Sequence, residues 1–113
     1  MSTVTTHVLD TMRGLPAEGV RIELEQRQGE GWLTVAFGVT DNDGRLRNLL
    51  SQGSSLRSGT YRLRFLTGEY FSSFGLAALH PFVEIVFEIS DEASHYHIPL
   101  LVTPHAYSTY RGS

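Results

Sequence analysis

Three histidines on strand-like stretches, one arginine after a turn and a polar tail are the groups in this sequence with the types and spacing to do chemistry. His7 lies in Thr6-His7-Val8-Leu9-Asp10, while His95 and His97 flank Tyr96 in His95-Tyr96-His97-Ile98-Pro99-Leu100-Leu101. An imidazole has an unperturbed pKa of ~6.5 and can serve as a general base near neutral pH. Arg45 follows Asp41-Asn42-Asp43-Gly44, so its rigid, always-charged fork could reach from a sheet end toward a planar anion or a developing oxyanion. His95 and His97 share one strand face and form a candidate metal pair, but a zinc site would need further ligands from His7, His80, His105 or a carboxylate. No bound catalytic metal and no cofactor is expected, although adventitious zinc on clustered histidines would be unsurprising. Taken singly, each group has an ordinary reading as a surface or hydrogen-bonded side chain. There is no glycine-rich phosphate loop and no Gly-x-Ser-x-Gly nucleophile elbow.

The elements that must position these groups are strands. Val20, Ile22 and Leu24 alternate with charged residues, as do Tyr61, Leu63 and Phe65, and Val83, Ile85, Phe87 and Ile89 alternate with Glu84, Val86 and Glu88, which is the period of strands with one buried face. Leu33, Val35, Phe37 and Val39 repeat the pattern after Gly29-Glu30-Gly31, predicting a hairpin whose second strand turns these four residues to the core. Residues 4–9 and 96–102 are strand-like, and Tyr107-Ser108-Thr109-Tyr110 reads as a last strand with Ser108 and Tyr110 on one side. Turn and loop chemistry falls at Arg13-Gly14-Leu15-Pro16, at Asp41-Asn42-Asp43-Gly44 and over 51–58. Over 69–79, Phe71, Phe74 and Ala78 stand at helical spacing ahead of Pro81, predicting one short helix. Seven or eight short strands at this spacing point to a sandwich.

Alternation also assigns faces. His7 sides with Leu9, and His95, His97, Pro99 and Leu101 share the face opposite the core positions Tyr96, Ile98, Leu100 and Val102. A face that mixes histidine with leucine and proline suits neither open water nor a dry core. A subunit interface or a ligand cavity reconciles the two.

Composition sets the outer limits. A chain of 113 residues, 41% hydrophobic and 19% charged, has room for one two-layer core and reads as a single domain over 1–113. A net charge of −3, with scattered basic residues, argues against nucleic acid as a partner. The opening Met1-Ser2-Thr3-Val4-Thr5-Thr6-His7 carries no basic leader and apolar run, and no segment is long enough to span a bilayer. The expectation is a cytoplasmic protein with no membrane partner. The sequence has no cysteine, which excludes disulfides and thiol catalysis and fits a reducing compartment.

Four segments resemble the transthyretin-like family, and specifically its enzymatic branch, the 5-hydroxyisourate hydrolases. They are Thr6-His7-Val8-Leu9-Asp10 with Gly14-Leu15-Pro16-Ala17; Thr40-Asp41-Asn42-Asp43-Gly44-Arg45; His95-Tyr96-His97-Ile98-Pro99-Leu100-Leu101; and Tyr107-Ser108-Thr109-Tyr110-Arg111-Gly112-Ser113. The last is the most specific. In the hormone-carrying transthyretins the chain continues with a different ending, and lysine, glutamate and threonine stand where this sequence has His7, Arg45 and His97. The resemblance implies an all-β, transthyretin-like (prealbumin-like) Greek-key β-sandwich of about eight strands with one short helix. It further implies a homotetramer, a dimer of dimers, with sites at the dimer–dimer interface of a central channel. There His7, Arg45, His97, Tyr110, Arg111, Gly112 and Ser113 would line the active site.

The reaction so implied is hydrolysis of 5-hydroxyisourate, a product of urate oxidation, to 2-oxo-4-hydroxy-4-carboxy-5-ureidoimidazoline. His7 and His97 would hold and deprotonate water, with the choice of base left open, and Arg45 would steady negative charge. Ser113, through its hydroxyl or terminal carboxylate, and Tyr110 would position substrate or polarise a histidine. The sequence departs from the family at Leu79-His80, where two aromatic residues usually precede the proline, and conservatively at Leu101-Val102-Thr103-Pro104. The rival readings are a carrier of a small aromatic ligand, a metal-dependent hydrolase using His95 and His97, and a structural sandwich without a site.

Overall fold

Apolar residues at every second position give each strand one face to bury, and two sheets bury those faces against each other. A computed structural model describes residues 3–46, 49 and 56–113 of the chain. Among them the order is β1 (Thr3–Asp10), β2 (Leu15–Pro16), β3 (Arg21–Gln28), β4 (Gly31–Val39), β5 (Arg45–Leu46), β6 (Gly59–Phe65), α1 (Thr67–Ser72), β7 (Val83–Ile89), β8 (His95–Val102) and β9 (Tyr107–Thr109). One sheet runs β4-β3-β6-β7; the other runs β2-β1-β8-β9, with β5 also paired to β1. The β1–β8 pair is parallel, and the remaining pairs are antiparallel. This is the all-β sandwich with one short helix that the sequence predicts.

Most of the expected core faces are borne out. Val20, Ile22, Leu24, Tyr61, Leu63, Phe65, Val83, Ile89, Tyr96, Ile98, Leu100 and Val102 are buried, and Ile85 and Phe87 pack against them. The β3–β4 hairpin forms across Gly29 and Glu30, with Gly29 at φ 59°. Of the loop expected over 51–58, only Leu56, Arg57 and Ser58 lie within the described residues.

Three local expectations need correction. In β4, Leu33, Phe37 and Val39 are 49%, 77% and 52% exposed instead of buried. A bulge explains Phe37 and Val39: Leu24 pairs Ala36 and Glu25 pairs Thr34, so Val35 has no opposite residue and beyond it the alternation shifts by one, while Leu33, before the bulge, stays opposite Gln26 toward the hairpin end of the strand. Ala36 then packs on the core, and the next inward position is Gly38, where a Cβ would lie 2.8 Å from Leu46 Cδ1. The helix is also shorter than predicted, ending near Ser72. Leu76 N–H donates to Phe71 O (3.0 Å) and Gly75 N–H to Ser72 O (2.9 Å) around Gly75 at φ 75°. This Schellman-type stop leaves Phe74 outside the helix. Finally, β9 ends at Thr109, so Tyr110 does not continue the strand alternation with Ser108.

The short helix is tied to β1 by a buried polar contact. Asp10 is fully buried; its Oδ1 accepts from Met12 N–H (3.1 Å) and Arg13 N–H (3.0 Å), and its Oδ2 accepts from the Tyr70 hydroxyl at 2.8 Å. Burial, followed by the bond to Asp10, pushes the Tyr70 hydroxyl up to about 12. A buried acceptor that loses its partner costs ~1–3 kcal/mol. Tyr70→Phe is therefore expected to lower unfolding stability by that amount in urea denaturation, and an unchanged midpoint would show that the bond contributes nothing.

Candidate active site

β1 and β8 lie side by side with their inner faces in the core, so their outer faces meet in one row. The parallel register sets Thr3 opposite His95, Thr5 opposite His97, His7 opposite Pro99 and Leu9 opposite Leu101. On the other edge of β1, β5 brings Arg45 opposite His7. Arg45 and His97 thus flank β1 from its two sides. Together with Thr5, Thr6, His95 and Ser113 they line an open cavity of about 250 Å³. His7 stands on the same outer face, one alternation along from Thr5.

Arg45 reaches this position through a tight turn. Asp41 Oδ1 accepts from Asp43 N–H (2.9 Å) and Arg45 N–H (3.0 Å), and Asp41 O accepts from Gly44 N–H (2.9 Å). Gly44 has φ 75°, its carbonyl accepts from Val8 N–H at 2.7 Å, and a Cβ there would lie 2.4 Å from Val8 O. Only glycine fits so close to β1. The same turn orders His7, whose Nε2–H donates to Asp43 O at 2.8 Å. A carbonyl can only accept, so neutral His7 keeps its proton on Nε2 and its lone pair on Nδ1.

His97 is half-buried beneath the tail. Gly112 N–H donates to His97 O at 2.8 Å, and a Cβ on Gly112 would lie 2.5 Å from His97 Cδ2. The absence of a side chain lets the tail lie against the imidazole, and Ser113 then reaches the cavity. The Arg111 guanidinium sits over the Tyr96 ring, 4.4 Å from its centre, and anchors the tail. Burial holds the His97 imidazole below the usual histidine range, and the charges of Arg45, His95 and His7 push it the same way. At neutral pH it is an uncharged base.

The cavity therefore gathers Arg45, His97 and Ser113, with His7 beside it. Tyr110 and Arg111 lie elsewhere in the single chain. They line a second cleft of about 280 Å³, between the sheets, with Ile85, Phe87, Tyr96 and Ile98. The contribution that sequence reasoning missed is Thr5; His95, weighed there only as half of a metal pair, lines the cavity as well. Thr5 Oγ1 lies 2.8 Å from His97 Nδ1 and 3.0 Å from His95 Nε2, and the two imidazoles stack with centres 6.4 Å apart at 12°. Alternation could have placed Thr5 on the outer face with His7, but its contact with His97 depends on the β1–β8 register.

With this arrangement in view, relatives are informative. Residues 4–112 match the HIUase/Transthyretin family model. The 5-hydroxyisourate hydrolase of Deinococcus radiodurans is 48% identical over 97% of this chain and 95% of that protein. The structure of Klebsiella pneumoniae 5-hydroxyisourate hydrolase superposes with a TM-score of 0.87 at 39% identity, covering all of both chains. Transthyretin from Sparus aurata superposes with a TM-score of 0.89 at 32% identity, over 96% of this chain and 95% of that one. On this sequence match, supported by the shared sandwich, the chain belongs to the HIUase/Transthyretin family.

Proposed function

We infer that this chain hydrolyses 5-hydroxyisourate to 2-oxo-4-hydroxy-4-carboxy-5-ureidoimidazoline in urate degradation. The observation that carries the reading is a neutral, half-buried His97 sharing one cavity with Arg45 and Ser113, in a chain whose relatives bear that enzyme's name. The fold alone does not decide, because hydrolase and transthyretin structures resemble it equally well. The alternative of a non-catalytic carrier of small aromatic ligands lacks a reason for a base held unprotonated beside a cation.

In this reading water attacks a ring carbonyl carbon. His97 takes the water proton, and the Arg45 fork steadies the oxyanion that forms. His7, its tautomer set by Asp43 O, presents Nδ1 as an acceptor that orients the water. The Ser113 hydroxyl offers a further hydrogen bond to substrate.

We assign Tyr110, Arg111 and Gly112 to the substrate site as well, with Gly112 acting by letting the tail lie on His97. In a homotetramer built as a dimer of dimers, the outer face of the β1–β8 sheet would face a neighbouring copy. Tyr110, which lines the inter-sheet cleft of its own chain, would complete a site across that interface. The part-buried Leu9 and Leu101 and the half-exposed Leu15 on and beside this face are the apolar surface such packing would cover. Among the described residues no helix is long and apolar enough to cross a membrane. The cysteine-free sequence accords with the cytoplasm as the site of action.

The test is ultraviolet decay of freshly generated 5-hydroxyisourate with and without the protein at micromolar concentration. Acceleration is expected, and its absence sinks the hydrolase reading. Arg45→Ala should cut kcat/KM by about 10²–10³ and His97→Ala by about 10²–10⁴, with the assembly unchanged in light scattering. Deletion of residues 110–113 should remove most activity, and Gly112→Ala, which presses a methyl group onto His97, should lower it with the fold intact by circular dichroism. Full activity in the deletion would remove the tail from the site.

The pH profile follows from the lowered His97. The base works when neutral, so the acidic limb of kcat/KM should be centred below ~6.5, the ordinary histidine value. An acidic limb centred above that value would contradict the assignment.

A further inference from the structure

A base beside a fixed cation accepts a proton but is poorly placed to keep the charge. Arg45 on β5, His7 on β1 and His95 on β8 all face His97, Ser113 lines the same cavity, and Arg111 Nη2–H donates to the backbone carbonyl of His95 at 3.4 Å. His97 also has a route by which the charge can leave. Its Nδ1 meets the Thr5 hydroxyl at 2.8 Å, and that hydroxyl meets His95 Nε2 at 3.0 Å. His95 Nδ1 bonds the Thr3 hydroxyl at the exposed end of the row. The His97 ring lines the cavity, and the Thr5 backbone bonds it as well.

A threonine hydroxyl has one proton, so it donates to one imidazole and accepts from the other. Two arrangements satisfy all three contacts. In one, His97 Nδ1–H donates to Thr5, Thr5 donates to His95 Nε2, and His95 Nδ1–H donates to Thr3. In the other every bond is reversed. The two histidine tautomers are therefore coupled through a single hydroxyl, and only the first leaves a lone pair on His97 Nε2.

We propose that Thr5 and His95 form a proton relay that carries the charge from His97 to the protein surface and back. The relay rests on the hydrolase reading above. As the water oxygen bonds to the carbonyl carbon, the water proton goes to His97 Nε2. The Nδ1 proton moves to Thr5 Oγ1, and the Thr5 proton moves to His95 Nε2. The positive charge then sits on an exposed imidazole, where water screens it from Arg45. As the ring carbon–nitrogen bond breaks, the shifts reverse and His97 Nε2 delivers the proton to the leaving nitrogen. The sequence consumes one water and leaves the protein unchanged. Thr5 is in this sense a positioning residue, setting which His97 nitrogen faces the cavity.

The experiment uses the full chain in its native assembly, with Thr5→Val, Thr5→Ser and His95→Ala variants checked for fold by circular dichroism. Thr5→Val keeps the shape and removes the hydroxyl. It should lower kcat at least about tenfold with KM little changed, while Thr5→Ser restores most of the rate. His95→Ala should lose rate that added imidazole recovers in proportion to its concentration, since a soluble base replaces the relay's outer end. In ¹⁵N spectra the His95 and His97 rings should titrate together in the parent protein and independently in Thr5→Val. A Thr5→Val enzyme with the parent kcat and pH profile overturns the relay, as does an imidazole-insensitive His95→Ala. Should the parent protein not hydrolyse 5-hydroxyisourate, the hydrolase reading fails by itself; rings that titrate independently in that protein would overturn the relay too.

Discussion

β1 is paired along both edges, and the site depends on that double pairing. β8 runs parallel to it over its whole length, while β5 and β2 take successive short stretches of the opposite edge. Its inner residues Val4, Thr6, Val8 and Asp10 are all buried. A slip of one residue would turn that buried set outward and drive Thr5 and His7 into the core. Polar contacts on the inner side secure the register further: Thr6 Oγ1–H donates to Ile98 O at 2.6 Å, and Asp10 accepts from Tyr70. Because the inner face fixes the register, the outer residues are positioned by contacts they do not make themselves.

Electrostatics then divides the labour on that outer face. An arginine cannot be neutralised at any accessible pH, so Arg45 fixes the sign of the local field. The same charge that would attract an anionic ring and steady its oxyanion also disfavours imidazolium at His97. Arg45 would thus contribute to anion recognition and, after burial, to the readiness of the base. His7 is ordered differently, by a backbone carbonyl in the turn that delivers Arg45, which links its tautomer to the placement of the cation.

The sequence was most legible where one face of a strand is uniformly apolar. Tyr96, Ile98, Leu100 and Val102 mark the inner face of β8, and His95 and His97 are thereby assigned outward before any neighbour is known. Alternation failed in β4 because one bulge residue inverts the pattern and the sheet edge tolerates exposed Phe37 and Val39. Helical spacing overran α1 because Phe71, Phe74 and Ala78 fit the period while Gly75 between them stops the helix. Tyr110 escaped the face argument because the strand ends one residue earlier. The Thr5–His97 contact was invisible for a different reason: it joins residues 92 positions apart, and only the pairing of two strands brings them together. Resemblance supplied the grouping of Arg45 with the histidines, which no local pattern could.

The division between faces also explains how one sandwich can serve unrelated tasks. Residues 5, 7, 45, 95 and 97 are all at least partly exposed, so their types can change with little effect on the Val4, Val8, Leu46 and Ile98 packing beneath them. Outer-face identity is therefore weakly constrained by folding and can be set by function. The tail is constrained more tightly. Gly112 has no room for a side chain against His97, and Arg111 holds its place by lying on Tyr96, a residue of the buried face. The tail is thus fixed to the core by one residue and fitted to the imidazole by the next.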